Sequence, residues 1–140
     1  MSSRVTTREF VISDYDDVIA LWEGVEGVEI CEGDSRDEIA EYLKRNPGLS
    51  HVALLDDKIV GAALCGHDGR RGWIYHLAVA PTYRRQKIGN VLLDSCVNAL
   101  RAIGLKRAII LVAGNNPGGH DFWLRNGWED LGAIAMTREL

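Results

Sequence analysis

The amino-acid sequence predicts a mixed α/β domain, and three observations carry that prediction. Candidate strands and helices interleave along all 140 residues instead of segregating into separate blocks. The apolar runs 51–55 and 59–65 flank the short polar turn Asp56-Asp57-Lys58, as in an antiparallel hairpin. The stretch 73–103 reads strand, basic loop, helix, and a further apolar run at 107–112 follows it. Such a strand-helix-strand unit closes as a right-handed parallel crossover and leaves its loop at the carboxyl edge of the sheet, where open α/β sheets bind ligands.

In chain order, Val5 to Phe10 is a short strand. Ser13 stands as a helix cap, since Ser13-Asp14-Tyr15-Asp16 has capping-box spacing and Val18, Leu21, Trp22 and Val25 form an apolar stripe behind it. The helix is expected to stop near Gly24. From Gly24 to Gly33 glycine alternates with Glu26, Glu29 and Glu32, which is too polar and too glycine-rich for a core element, so this stretch is a loop. Ser35-Arg36-Asp37-Glu38 is a second capping box, opening a helix through Ile39, Ala40, Tyr42 and Leu43 that ends at Asn46-Pro47-Gly48. After the hairpin, a turn at 67–72 leads into the strand Trp73 to Ala80, bounded by Gly72 and Pro81, so three consecutive strands form a meander. The next helix begins at Gly89, with Val91, Leu92, Cys96, Val97, Leu100 and Ile103 on one face and Asp94, Asn98 and Arg101 toward water. Asn116 as cap and Pro117 as first residue start a fourth helix that reaches about Asn126, with Gly127 closing it. Trp128 and its successors, then Ala133 to Arg138, are expected as closing strands.

Composition bounds the function. The chain is 46% hydrophobic and 26% charged, has no apolar run approaching the ~20 residues of a membrane span, and shows no signal-peptide pattern at Met1-Ser2-Ser3-Arg4. A soluble cytoplasmic protein of one domain, 1–140, without a membrane partner, is the expectation. Cys31, Cys65 and Cys96 are odd in number and lack CxxC spacing, which argues against a disulfide framework or a metal site. The net charge of -4 hides an asymmetry: residues 1–70 carry 15 acidic and 7 basic side chains, residues 71–140 carry 5 and 9. The basic half suits a polyphosphate ligand and the acidic half a cationic or amine substrate, while a pI near 5.5 disfavours nucleic acid.

The loop Arg84-Arg85-Gln86-Lys87-Ile88-Gly89-Asn90 is the strongest functional signal. A strand-to-helix loop presents unpaired N–H groups at the positive end of the helix dipole, and Arg84, Arg85 and Lys87 add full charges around them. That is an anion site suited to a pyrophosphate. Neither the P-loop spacing for nucleoside triphosphates nor a GxGxxG dinucleotide turn is present.

What is present resembles the signature of the GNAT superfamily of N-acyltransferases: a strand ending Leu-x-Val-x-Pro that runs into Arg/Gln-x-x-Gly-x-Gly/Ala and a helix, matched by Leu77, Val79, Pro81, Arg84 and Gly89. Lys87 replaces the first motif glycine, and it offers the same backbone N–H provided the position needs no positive φ. A second signature, Asn-x-x-Ala-x-x-x-Tyr-x-x-x-Gly-Phe, is matched in spacing by Asn116, Gly119, Trp123, Gly127 and Trp128. More narrowly, GHDGRRGW, HLAVAPTYRR and FWLRNGW look like a bacterial branch of acetyltransferases. The resemblance implies a single GNAT-type domain with a mixed, mostly antiparallel sheet of about six or seven strands, four helices and a parallel strand-helix-strand unit. It implies acetyl-CoA as cosubstrate, no metal, an amine acceptor on a small molecule or protein, and it admits a homodimer. Coenzyme A contacts fall on Leu77, Val79, Arg84, Arg85, Gln86, Lys87, Ile88, Gly89, Asn90, Asn116, Gly119 and Trp123.

The resemblance also assigns chemistry. The strand of Leu77 should carry a bulge and splay from its parallel neighbour, so that the Leu77 N–H polarises the thioester oxygen and the Val79 backbone pairs with the pantetheine arm. Two side chains common in the family are missing. Arg71 and Trp73 occupy the neighbourhood of the usual glutamate base, and Trp123 replaces the tyrosine acid, its indole being a donor that does not titrate near neutral pH. The remaining ionisable candidates are Glu29 and Glu32 for the amine and His120 for the departing thiol; His67 and His76 are also available, and strand alternation makes His76 a core or supporting histidine. A noncatalytic acyl-CoA binding or sensing module is the competing class.

Overall fold

The computed structural model describes residues 4–84, 86–112 and 117–140. Residues up to Ile110 pack as one compact unit and 111–140 as a second. In the first unit a five-stranded sheet has the order of the chain: β1 (Val5–Glu9), β2 (His51–Leu55), β3 (Lys58–His67), β4 (Gly72–Val79) and β5 (Ala108–Ile110). The first four strands pair antiparallel and β4 pairs parallel with β5, as the crossover reading requires. Asp56 and Asp57 both take positive φ, 51° and 64°, the conformation of a type I′ turn whose twist matches the β2–β3 hairpin.

Helices α1 (Tyr15–Glu23) and α2 (Arg36–Arg45) cover one face, and α3 (Ile88–Ala102) the other. Phe10, Val18, Trp22, Ile39, Val52, Ala62, Leu64 and Ala78 form the core under α1 and α2. The α2 capping box forms as read: Ser35 Oγ accepts from the Glu38 N–H at 3.2 Å, and Glu38 Oε1 accepts from the Ser35 N–H at 3.4 Å. Ser13 is not the cap of α1. It lies in a 3-10 turn, Ile12–Asp14, and Asp14 organises the entry by accepting from the Val11 N–H at 3.0 Å and from both guanidinium nitrogens of Arg8 at 2.7 and 2.9 Å. The Arg8 guanidinium holds the Asp14 carboxyl below its usual range.

The buried face of α3 differs in part from the one expected. Ile88, Leu92, Leu93, Cys96 and Leu100 are buried, whereas Val91 is exposed and so is Ile103, which caps the helix after its last residue, Ala102; the helix begins at Ile88, one residue earlier than expected. No cysteine forms a disulfide, and the hydrogen bond with Cys65, then burial, pushes the Cys96 thiol up. No helix among the described residues is long and apolar enough to cross a membrane, and none of their His, Cys, Asp and Glu clusters could hold a metal ion.

In the second unit α4 (Pro117–Arg125) ends in a Schellman motif: Gly127 at φ 86° gives its N–H to Leu124 O, and the Trp128 N–H reaches Trp123 O, both at 3.1 Å. The Trp123 and Trp128 rings meet edge-on at 4.9 Å and supply the apolar contact that accompanies such caps. The closing strands expected after Trp128 are absent, so the described sheet has five strands rather than six or seven. Within its own unit 128–140 finds no strand to pair with; Gly132 turns the chain at φ 76°, and Ile134 and Met136 stand 87% and 92% exposed.

Candidate active site

The site is organised by a break in β4. Ala62 pairs with Ala78 and Leu64 with Tyr75, so His76 and Leu77 together oppose the single residue Ala63. This is a β-bulge, and His76 adopts the left-handed conformation at φ 53° that releases the strand from regular pairing. On its other edge β4 pairs with β5 only from Gly72 to Ile74, then runs on to Val79. Leu77 therefore falls outside the register of both neighbouring ladders, while Val79 keeps its partner Gly61 on β3 alone.

The chain then leaves β4 through a 3-10 turn, Pro81–Tyr83, held by Ala80 N–H to Val60 O at 2.8 Å and by Lys58 Nζ 5.6 Å over the Tyr83 ring. Arg84, Gln86 and Lys87 are exposed around the start of α3, Gly89 and Asn90 are half-buried in its first turn, and Arg85 lies outside the described residues. Ile88 is in the core at 1% exposure, so only its backbone can serve a ligand. Lys87 caps α3 at φ 60°, ψ 21°. The proviso attached to the missing motif glycine thus fails: this position does take positive φ, and a lysine occupies a conformation that costs a side-chain-bearing residue about 1–2 kcal/mol. The cationic side chains and the N–H groups of a helix start still suit a pyrophosphate.

His76, one of the ionisable candidates, lies at the bulge and is paired with a residue the sequence did not single out. His76 Nε2 and Asp34 Oδ2 are 3.0 Å apart, with Asp34 6% exposed and the His76 side chain 22%. Asp34 also accepts from the Cys31 N–H at 3.2 Å, and its carbonyl accepts from the Tyr15 hydroxyl at 2.6 Å. On its inner side the imidazole meets the fully buried Trp22 edge-on, centroids 5.0 Å apart. His76 is therefore neither an isolated core histidine nor an exposed one. The family resemblance leads one to expect a bulge in this strand, but nothing in the sequence marks a partner 42 residues away.

The carboxylates favoured from sequence, Glu29 and Glu32, are exposed on the 24–34 loop, and no hydrogen bond or ion pair joins either to β4 among the described residues. Burial first, then Asp34, pushes the Cys31 thiol up, while Cys65 and Cys96 are buried, which argues against a covalent cysteine route. In the second unit His120 is exposed, Gly119 and Trp123 are half-buried, and Asn116 lies outside the described residues.

The model of the Acetyltransferase (GNAT) family matches residues 15–128 of this chain. The chain belongs to the GNAT acetyltransferase family. An acetyltransferase of Sodalis glossinidius is 34% identical over 109 residues, 78% of this chain and 76% of that one. One from Yersinia enterocolitica is 30% identical over 133 residues, 95% and 94% of the two. Among solved structures, Ard1 from Thermoplasma volcanium superposes with a TM-score of 0.78 at 20% identity, covering 88% of this chain and 81% of that one. The PaiA N-acetyltransferase of Thermoplasma acidophilum, in complex with coenzyme A, gives 0.77 at 20%, covering 90% and 89%. An aminoglycoside acetyltransferase from a soil metagenome, in complex with sisomicin, gives 0.77 at 19%, covering 97% and 96%. The GNAT fold, with its mixed sheet and parallel β4–β5 pair, is thus common to chains of very different sequence.

Proposed function

We propose that this GNAT protein is one catalytic domain that transfers an acetyl group from acetyl-CoA to a primary amine by direct attack in a ternary complex. The observation that carries the reading is the bulge at His76 and Leu77, with β5 already ended and the cationic start of α3 following in the chain. A bulged, unladdered strand supplies a backbone donor at Leu77 for the thioester oxygen and an edge at Val79 for the pantetheine arm. Arg84, Arg85, Gln86, Lys87, Gly89, Asn90 and the Ile88 backbone take the pyrophosphate, while Asn116, Gly119 and Trp123 join the cofactor residues on the strength of the family signature. Calorimetry with acetyl-CoA, paired with thiol release across spermidine, sisomicin and lysine-containing peptides, tests it. Binding without amine-dependent turnover would favour the noncatalytic acyl-CoA module, a reading supported by Trp123 in place of the family's tyrosine.

The acidic loop from Gly24 to Gly33 is proposed as part of the wall for a cationic acceptor. Glu29→Gln and Glu32→Gln should raise the amine KM or lower kcat and leave acetyl-CoA affinity intact. Wild-type kinetics in both variants would make the loop a solvated connector.

Trp123 is proposed to support cofactor binding without acting as an acid. Thiolate, with an ordinary thiol pKa of about 8.5, can leave near neutral pH and take its proton late, from water or His120. Trp123→Phe should then keep most of kcat; a loss of about a hundredfold with folding and acetyl-CoA affinity unchanged would give the indole N–H a direct part in the transition state.

A further inference from the structure

We propose that His76 takes the proton the acceptor amine sheds, with Asp34 as its positioning residue, an assignment that rests on the acetyl-transfer reading above. A carboxylate at Nε2 fixes the neutral imidazole as the Nε2–H tautomer, which leaves the Nδ1 lone pair as the acceptor. Among the described residues Nδ1 makes no hydrogen bond, and the ring keeps a fifth of its surface open. Trp22 closes its inner side and Asp34 one nitrogen, so a proton arriving from outside has one place to go. His76 also directly precedes Leu77, the residue proposed to polarise the thioester. One bulge then carries the proton acceptor and the carbonyl donor on consecutive residues.

The backbone geometry strengthens the case. A β-bulge and a left-handed residue inside a sheet both disturb regular pairing, and such departures gather where a side chain must be aimed. Asp34 is itself held by Cys31 N–H and, through its carbonyl, by Tyr15, so the orienting group is fixed from two elements. Titratable groups about the pair include Cys31, Tyr15 and Tyr75, with Glu32 acting on Cys31 from the same loop. Burial pushes Cys31, Tyr15 and Tyr75 upward, and Asp34 adds to the effect on Cys31 and Tyr15, so none of these three is a base near neutral pH.

The step balances without a further reactant. The neutral amine nitrogen bonds the thioester carbon, and the C–S bond breaks with its electron pair on sulfur. One N–H proton passes to His76 Nδ1. The imidazolium then returns that proton to solvent and the thiolate takes one from solvent, giving amide and free thiol.

The test uses the full chain with acetyl-CoA and whichever of spermidine, sisomicin or a lysine-containing peptide turns over fastest. Asparagine tolerates positive φ and does not titrate, so His76→Asn preserves the bulge while removing the acceptor. It should lose at least a hundredfold in kcat/KM for the amine, lose the ascending limb of the pH profile, and keep its acetyl-CoA Kd within about threefold. Asp34→Asn should lose at least tenfold in kcat with that limb altered. His76→Gly, which fits the left-handed backbone and opens a space for the missing ring, should regain at least tenfold in rate with added imidazole. An unchanged pH profile in His76→Asn, or a rate loss in folded His76→Gly that imidazole does not restore, would overturn the assignment and leave the acetyl-transfer reading standing. Acetyl-CoA binding by the wild type with no turnover of any of the three amines would overturn both.

Discussion

Trp22→Ala is expected to cost about 3–5 kcal/mol of stability, the range for truncating a buried aromatic side chain. Trp22 is fully buried, packs edge-on against Phe10 at 6.2 Å and against His76 at 5.0 Å, and sits in the core beneath α1 and α2. Against a total of roughly 5–15 kcal/mol, that loss is about a fifth or more of what holds a domain together. Melting should fall by about 6–20 °C, measurable by circular dichroism. Trp22→Phe should be much milder, because Trp22 Nε1 is buried without a hydrogen-bond partner among the described residues and its removal forfeits no bond. The two variants also separate packing from chemistry. The cavity in Trp22→Ala removes the inner wall of the imidazole, so its folded fraction should turn over more slowly than Trp22→Phe. A melting point within 2 °C of the wild type for Trp22→Ala would contradict the packing described.

Local signals in the sequence were legible wherever one residue type has one backbone use. The Ser35 and Glu38 box, the stop at Asn46-Pro47-Gly48, the Asp56-Asp57 turn and the Gly127 cap all appear as read, because each satisfies or ends a specific set of backbone groups. Ser13 failed by the same logic: Asp14, one residue later, had a stronger competing offer from Arg8 and the Val11 N–H. The strands after Trp128 failed because alternation states only that one face is apolar, and a ladder also needs a neighbour. The bulge of β4 was expected from the family resemblance, while its consequence for His76 was not. The His76–Asp34 pair depends on how a loop of several acidic residues lies against a strand, and residue type does not distinguish Asp34 from Glu29 or Glu32.

Arg84→Ala and Lys87→Ala combined should weaken acetyl-CoA binding by about 2–6 kcal/mol, thirtyfold at the least, if each cation makes one charge-assisted contact with the pyrophosphate. Both side chains are exposed, so the free protein should melt almost as the wild type does, and the affinity lost should shrink as salt screens the remaining charges. Lys87→Gly divides the role of that residue. At φ 60° glycine sheds the left-handed strain of about 1–2 kcal/mol, though its freer unfolded chain returns part of this, for a net gain of about 0.5–1 kcal/mol. The same change removes a cation from the loop. Stability should therefore rise while acetyl-CoA affinity falls, two shifts of opposite sign from one substitution, read by thermal melting and calorimetry on the same sample. If Lys87→Gly bound acetyl-CoA as tightly as the wild type, the lysine charge would have no part in the site and its backbone N–H would be the whole of its contribution. If it melted lower, the left-handed start of α3 would not be the strained conformation from which the gain is derived.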